Sequence, residues 1–336
     1  MKSSVIPYHL RPNKSVERNI FLNLLSMING YNAIDIKECV YIGFGGPFLE
    51  DFKNIHARFG TRDMYSLESD PMIFERQKFN SPLKCIEMTN FTSREFIDGY
   101  SITKNAIIWL DYTSAEDIFD QFVDFKTILE RTVENDVIKV TLNANPRTLG
   151  TPHSDELMGL TSLEQEEAVR KYRLKILRER LSDFFYPATK PEMMTDKKMA
   201  EVLVKSLKIA VDAGLMLKRA YIFQPLCLFS YADSGNTMLT ATGIILKNDK
   251  KATEDFLLKT GIGNWPLART NWESPIRIDV PDLTVKERVH LDSMLPPNEP
   301  ADLDVICKSV AFIKRSQIEN YVDYYRFYPY FSKILL

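Results

Sequence analysis

The stretch Cys39-Val-Tyr-Ile-Gly-Phe-Gly-Gly-Pro-Phe48, followed one strand–helix unit later by Met64-Tyr-Ser-Leu-Glu68, decides the fold. An apolar strand runs into a turn carrying Gly43, Gly45 and Gly46, and Pro47 stands where the first turn of a helix tolerates it. A second short strand then ends on an acid. Glycines after a buried strand let the backbone approach a ligand, and an acid at the end of strand two accepts ribose hydroxyls. The plainer readings are a tight strand-to-helix turn and an ordinary surface acid. Together the two segments point to an α/β nucleotide-binding domain.

The pattern extends outward from there. Strands are expected at Glu38 to Gly43, Asp63 to Leu67, Lys84 to Met88, Ala106 to Asp111 and Asp136 to Leu142. The fourth, Ala106-Ile-Ile-Trp-Leu-Asp111, is almost wholly apolar, as a central strand covered on both faces should be. Helical spacing marks Ser15 to Ile28, Phe48 to Phe59, Met72 to Phe79 and Ala115 to Val133. Such alternation implies parallel strands joined by right-handed connections. Two long helices follow, Ser162 to Phe185 and Asp196 to Leu217. Next come two apolar strands, Ala220 to Tyr231 and Met238 to Leu246, joined by the turn residues Ala-Asp-Ser-Gly-Asn-Thr. A short helix beyond them has a reciprocal cap in Thr284 and Glu287. The expected organisation is an N-terminal lid and helix over 1–37, a main domain over 38–247 with a helical insertion at 151–217, and a C-terminal extension over 248–336.

Bulk properties bound the function. The 336 residues carry a formal net charge of −2, which gives no global attraction to nucleic acid or anionic membrane. Cys39, Cys85, Cys227 and Cys307 lie far apart and read as reduced thiols of a cytoplasmic protein. No apolar run is long enough to span a bilayer. The four histidines show no ligand spacing, so no metal is expected, and no nucleophile elbow is present. The run from Arg170 to Arg180 reads mainly as the solvated basic side of an amphipathic helix, with a phosphate-backbone contact as the alternative. The aromatic run Tyr321 to Tyr330 reads as a packing or protein-contact segment, which makes a partner or a homo-oligomer plausible.

Five strand–helix units followed by an antiparallel hairpin is an order that resembles the class I S-adenosylmethionine-dependent methyltransferases. The motif positions carry the likeness: Val40-Tyr-Ile-Gly-Phe-Gly-Gly46, Glu68, and Asp111-Tyr112 at the end of strand four. More narrowly, the chain resembles a bacterial group of "putative O-methyltransferases". That likeness rests on Leu10-Arg-Pro-Asn-Lys14 with Glu17-Arg18, Glu50-Asp51-Phe52, Ser66-Leu-Glu68 and Phe79-Asn80-Ser-Pro82. The resemblance implies a doubly wound, mostly parallel, seven-stranded Rossmann-like sheet closed by an antiparallel hairpin.

It also implies S-adenosylmethionine as cofactor, held by Tyr41, Gly43, Gly45, Gly46, Glu68, Thr89 and Asn90. Tyr41 replaces the acid that such proteins usually place two residues before the first glycine, so the cofactor's amino group needs another partner. A backbone carbonyl, Asp51 or the N-terminal segment could supply it. Asp111 and Tyr112 are the expected catalytic pair. Arg11 and Lys14 read either as a solvated cap or as a basic lid that touches the substrate. The acceptor stays open among small molecules, proteins and nucleic acids. Two other classes remain: a silent binding or assembly protein on the same scaffold, and a nicotinamide-dependent oxidoreductase. The latter calls for a fuller glycine fingerprint than this chain has.

Overall fold

The computed structural model describes residues 11–99, 101, 104–233 and 235–329. Residues 1–10 of the expected lid and Tyr330 of the aromatic run lie outside them. The main unit alternates β1 (Val40–Gly43), α2 (Glu50–Phe59), β2 (Asp63–Leu67), α3 (Pro71–Asn80), β3 (Ile86–Thr89), α4 (Ser93–Gly99), β4 (Ala106–Asp111), α5 (Ile118–Arg131) and β5 (Val137–Asn143), after an opening helix α1 (Pro12–Ile28). Between β5 and the hairpin lie α6 (Ser154–Leu157), α7 (Ser162–Leu181) and α8 (Met199–Gly214). The long hairpin is β6 (Tyr221–Asp233) and β7 (Asn236–Lys247). Beyond it lie α9 (Lys250–Lys259), β8 (Ile276–Ile278), α10 (Val285–Asp292), α11 (Pro300–Ser309) and α12 (Arg315–Tyr324).

The sheet runs β3-β2-β1-β4-β5-β7-β6-β8, with β1 to β5 parallel and β7 antiparallel to both β5 and β6. It therefore has eight strands rather than the expected seven. The extra strand, β8, lies in the C-terminal extension and pairs in parallel with β6 from Phe229↔Ile276 to Tyr231↔Ile278. Its pairing satisfies backbone groups on the outer edge of β6, and a strand so short leaves no alternation to read in the sequence. Several helices are also shorter than their apolar spacing suggested. The residue Ser182, at φ 47, ends α7 before Phe185.

Two apolar layers sandwich the sheet. On one face α5, α7 and α8 bury Phe122, Phe125, Leu177, Leu203 and Leu207. On the other, α1 and α2 bury Ile20, Leu24 and Phe52 beside Ile318, Tyr321, Tyr324 and Tyr328 from the C-terminal extension. Those tyrosines are packing residues: Tyr321 donates to Asp292 Oδ1 at 2.6 Å and Tyr328 to the Pro281 carbonyl at 2.9 Å. The basic run of α7 is balanced locally by i,i+4 pairs such as Arg170–Glu166 and Lys171–Glu167. The described cysteines are all free thiols. Among the described residues no helix is long and apolar enough to cross a membrane.

Register sets the functional edge. Gly43 of β1 is level with Ser66 of β2 and Trp109 of β4, so the carboxyl ends of the three strands open side by side. The turn after β1 is tightly built. Gly46 has φ +50, and Leu49, with φ 52, takes the same left-handed conformation while fully buried. A Cβ on Gly45 would meet Leu49 Cδ2 at 2.3 Å and Ser66 Oγ at 2.5 Å. Glycine at 45 is thus required by packing of the turn against β2, in addition to any ligand approach. Gly45→Ala is expected to lower stability by roughly 1–3 kcal/mol, the scale of overpacking a filled interior. Chemical denaturation checks this, and a parental midpoint would mean that Ser66 and Leu49 can move aside.

Candidate active site

The strand ends frame a cavity of about 710 Å³. Its walls include Gly45 and Gly46 from the β1 turn, Glu68 beyond β2, and Asp111 and Tyr112 at the end of β4. Five of the residues singled out from the sequence therefore meet at one place, which is the crevice where parallel α/β sheets take ligands. The volume lies within the range of small-molecule pockets, about 300–1,000 Å³.

The other candidates sit elsewhere. Tyr41 does not line the cavity: it is buried in the core, edge-on to Phe52 with ring centroids 4.8 Å apart. Its strand position points into the layer shared with α1 and α2. Gly43 lies one step below the cavity, where a Cβ would come 3.2 Å from the Tyr41 hydroxyl. Thr89 donates to the Ser66 carbonyl at 3.4 Å and Asn90 donates to the Glu68 carbonyl at 2.7 Å. Both shape the β2–β3 rim, and their neighbours Phe91 and Thr92 are the wall residues. Glu68 is half-buried and accepts from the Asp70 backbone N–H at 2.9 Å. Burial raises its carboxyl above the ordinary range, with Asp70 adding to the effect and backbone hydrogen bonds opposing it.

Beneath Asp111 lies a cluster of charges that spacing alone did not reveal. Arg18 of α1 donates through Nε to Asp51 Oδ1 at 2.9 Å and through Nη2 to Asp111 Oδ2 at 3.0 Å. Lys14 Nζ stands 3.5 Å from the same Asp111 oxygen. One turn along, Glu17 meets Lys139 of β5 at 2.7 Å and accepts from the Thr240 hydroxyl at 3.1 Å. Trp109 lies between the two groups. Lys139 Nζ is 3.5 Å from its ring centroid and the Arg18 guanidinium carbon 4.7 Å. Lys14 is thus a buried ion-pair partner of Asp111, neither a solvated cap nor a lid over the cleft, and Arg11 stands at the N-cap of α1. The available signal was a set of ionisable residues on the apolar stripe of α1, with a lysine inside the apolar strand Val-Ile-Lys-Val.

These contacts fix charge states. Burial would raise the Asp111 carboxyl, yet Lys14, Arg18 and Lys139 outweigh it and hold the group at about 2. Asp111 therefore stays ionised near neutrality. Lys14 is lowered to about 8, chiefly by burial and then by Arg18, with Asp111 opposing. Lys139 is lowered by burial despite Glu17. Asp111 Oδ1 has no hydrogen-bond partner among the described residues although it is buried.

A second cluster closes the opposite wall. Tyr112 donates to Asp124 Oδ2 at 2.9 Å, Ser93 donates to the same oxygen at 2.5 Å, and Arg94 pairs with Oδ1 at 2.9 Å. Burial, and then Asp124, push the Tyr112 phenol well above its ordinary value, so it is a neutral donor. Its ring meets Phe44 edge to face at 5.3 Å. Among the described residues no group of histidine, cysteine and acid side chains could hold a metal ion.

The sequence profile of the family described as "Putative O-methyltransferase" matches residues 6–336. The chain belongs to this family. No curated protein sequence matches it. Among solved structures it is similar to a "putative transferase" from Pyrococcus horikoshii, at 14% identity and TM-score 0.32, covering 69% of this chain and 64% of that one. It thus spans less than two thirds of that protein's length. It is also similar to a plantazolicin methyltransferase, at 12% identity and TM-score 0.35 over 70% of this chain and 85% of that one. A third likeness is to an N-methyltransferase from Bradyrhizobium japonicum, at 9% identity and TM-score 0.34 over 69% and 97%. The strand order, rather than these distant likenesses, defines the fold as that of class I methyltransferases. Membership places the chain among proteins described as "putative O-methyltransferases" and leaves its acceptor to the chemistry of the site.

The buried pair gives a stability test. The Lys139 and Glu17 side chains are 0% and 2% exposed. Lys139→Met in this protein leaves a buried carboxylate uncompensated and is expected to cost about 3–5 kcal/mol, with Glu17→Gln in the same chain restoring part of it. Urea denaturation of the single and double variants measures this. A single variant as stable as the parent would show that Glu17 is neutralised by another group.

Proposed function

We propose that S-adenosylmethionine binds in the cavity at the ends of β1, β2 and β4, and that the acceptor meets it beside Asp111 and Tyr112. The observation that carries this reading is that Gly45, Gly46, Glu68, Asp111 and Tyr112, from three adjacent strand ends, line one cavity. The donor set fits the cofactor. Gly46, at φ +50, leaves the turn without a side chain facing the ligand, and Glu68 offers a carboxylate to ribose hydroxyls. The exposed Phe91 ring adds an apolar surface for the base. Once bound, the cofactor supplies an electropositive methyl group for in-line attack by a nucleophile.

The chain's own residues then position and shield. Asp111 stays ionised near neutrality, so it serves as a fixed hydrogen-bond acceptor rather than a proton carrier. Its Oδ2 is engaged by Lys14 and Arg18, which leaves Oδ1 for the acceptor. Tyr112, anchored on Asp124 and packed on Phe44, forms a rigid wall that orients the acceptor and excludes water.

Two measurements test this reading. Glu68→Ala is expected to weaken S-adenosylhomocysteine binding by roughly 1.5–3 kcal/mol, the scale for a hydrogen bond to a charged group. Calorimetry reads it, and parental affinity would make Glu68 a surface acid. Asp111→Ala should leave that affinity near the parental value and lower turnover by roughly 10²-fold, as for a positioned polar group. It should also lower thermal stability, because Lys14 and Arg18 lose their shared carboxylate. Turnover at the parental rate, measured on whichever acceptor the parent labels from radiolabelled cofactor, would move the acceptor site away from β4.

A further inference from the structure

One side of the cavity is not explained by the cofactor. The first turns of α5 place Asp117, Asp120, Gln121 and Asp124 along a single helix face, and all four line the cavity. Asp124 is engaged by Tyr112, Ser93 and Arg94. Asp117 and Asp120 are different. Asp117 occupies the N-cap position, yet its side chain makes no capping hydrogen bond. Neither carboxylate has an ion-pair or hydrogen-bond partner among the described residues.

Acids at a helix start interact favourably with the helix dipole, and that alone would explain their presence. Gln121 supplies an independent observation. It is 3% exposed, and its Nε2 donates to the Ser114 carbonyl at 2.7 Å. A carbonyl can only accept, so this contact fixes the orientation of the amide and leaves Oε1 as its acceptor atom. That oxygen is buried and has no partner among the described residues. A buried acceptor without a donor is costly, which marks a place where a ligand N–H or O–H belongs. Asp111 Oδ1, on the same cavity wall, is a second acceptor without a donor.

The charge balance points the same way. Among the described residues lining the cavity Arg94 is the one basic side chain, and it is already paired with Asp124. An anionic acceptor would face Asp117 and Asp120 with no cation to offset them.

We infer that the methyl acceptor carries a protonated amine or guanidine, with its positive nitrogen facing Asp117 and Asp120 and an N–H donated to Gln121 Oε1. This assigns the substrate class of the proposed site and so rests on cofactor binding there. It concerns recognition only, and the atom that receives the methyl group can be the nitrogen or a neighbouring oxygen.

The test uses the full chain saturated with S-adenosylhomocysteine. Benzylamine, benzyl alcohol and benzoate, three probes of similar shape and different charge, are titrated calorimetrically near neutral pH. Benzylamine is expected to bind about tenfold or more tighter than benzyl alcohol, the scale of an added ion pair at a partly screened site, with benzoate weakest. In Asp117→Asn/Asp120→Asn that preference should fall to within about twofold, while S-adenosylhomocysteine affinity stays parental. Gln121→Leu should weaken benzylamine and leave the cofactor product unaffected. Equal affinities, the reverse order, or no binding by any probe to the loaded protein would overturn the inference and leave the cofactor site standing. Failure of S-adenosylhomocysteine to bind at all would remove the cofactor site and this inference with it.

Discussion

The fork of Arg18 between Asp51 and Asp111 is the contact on which the rest of the site depends. One guanidinium joins three separate parts of the fold: the opening helix, the start of α2 and the end of the central strand β4. Removing those charges from water is expensive, and close pairing with charge-assisted hydrogen bonds is what offsets the cost. The outcome is an ionised carboxylate at the base of a partly apolar cavity. Without the cations beneath it, burial would favour the protonated acid.

The cavity thus has two electrostatically different sides. On the β4 side, carboxylate and cations are locked together and the geometry is rigid. On the α5 side, the acids of the first turn face outward without cations. The glycine turn between β1 and α2 carries its own constraint, since Leu49 adopts a left-handed backbone conformation in full burial. Such a conformation persists when packing over-determines it. Leu49, Ser66 and Gln77 all crowd the space where a Cβ on Gly45 would stand.

Much of this was legible in the amino-acid sequence. The parallel strands announce themselves as apolar runs, and the glycine turn, Glu68 and Asp111-Tyr112 can be placed because strand ends in such sheets share an edge. The roles of Tyr41, Thr89 and Asn90 were harder to read. Whether a residue beside a strand end faces a ligand or a neighbouring layer depends on pleat and rim contacts, and local sequence carries no record of them. Gly45 read either as a residue kept small for a ligand or as part of a tight turn, and the demand from Ser66 appears only once β2 is alongside. The buried ion pairs were out of reach for the same reason. Glu17 finds Thr240 across 223 residues of chain, and Arg18 finds Asp111 across 93. Spacing rules describe neighbours within an element, whereas these partners meet only through the completed sheet.

Those long separations bear on how the protein is made. Asn13 at the start of α1 donates to the Ala232 carbonyl in the hairpin and accepts from the Val280 N–H, and Asn19 donates to the Phe327 carbonyl. On the ribosome, α1 emerges before the segments that clasp it. Until then its lysine, glutamate and arginine stay hydrated, since burying them without partners would cost more than the helix gains. The five parallel strands can assemble earlier and leave a sheet whose β4 carboxylate lacks Lys14 and Arg18. The described C-terminal helices contribute no residue to the cavity wall, yet a nascent chain lacking them has no finished floor beneath Asp111. Formation of that floor thereby waits on the segments that hold α1 in place.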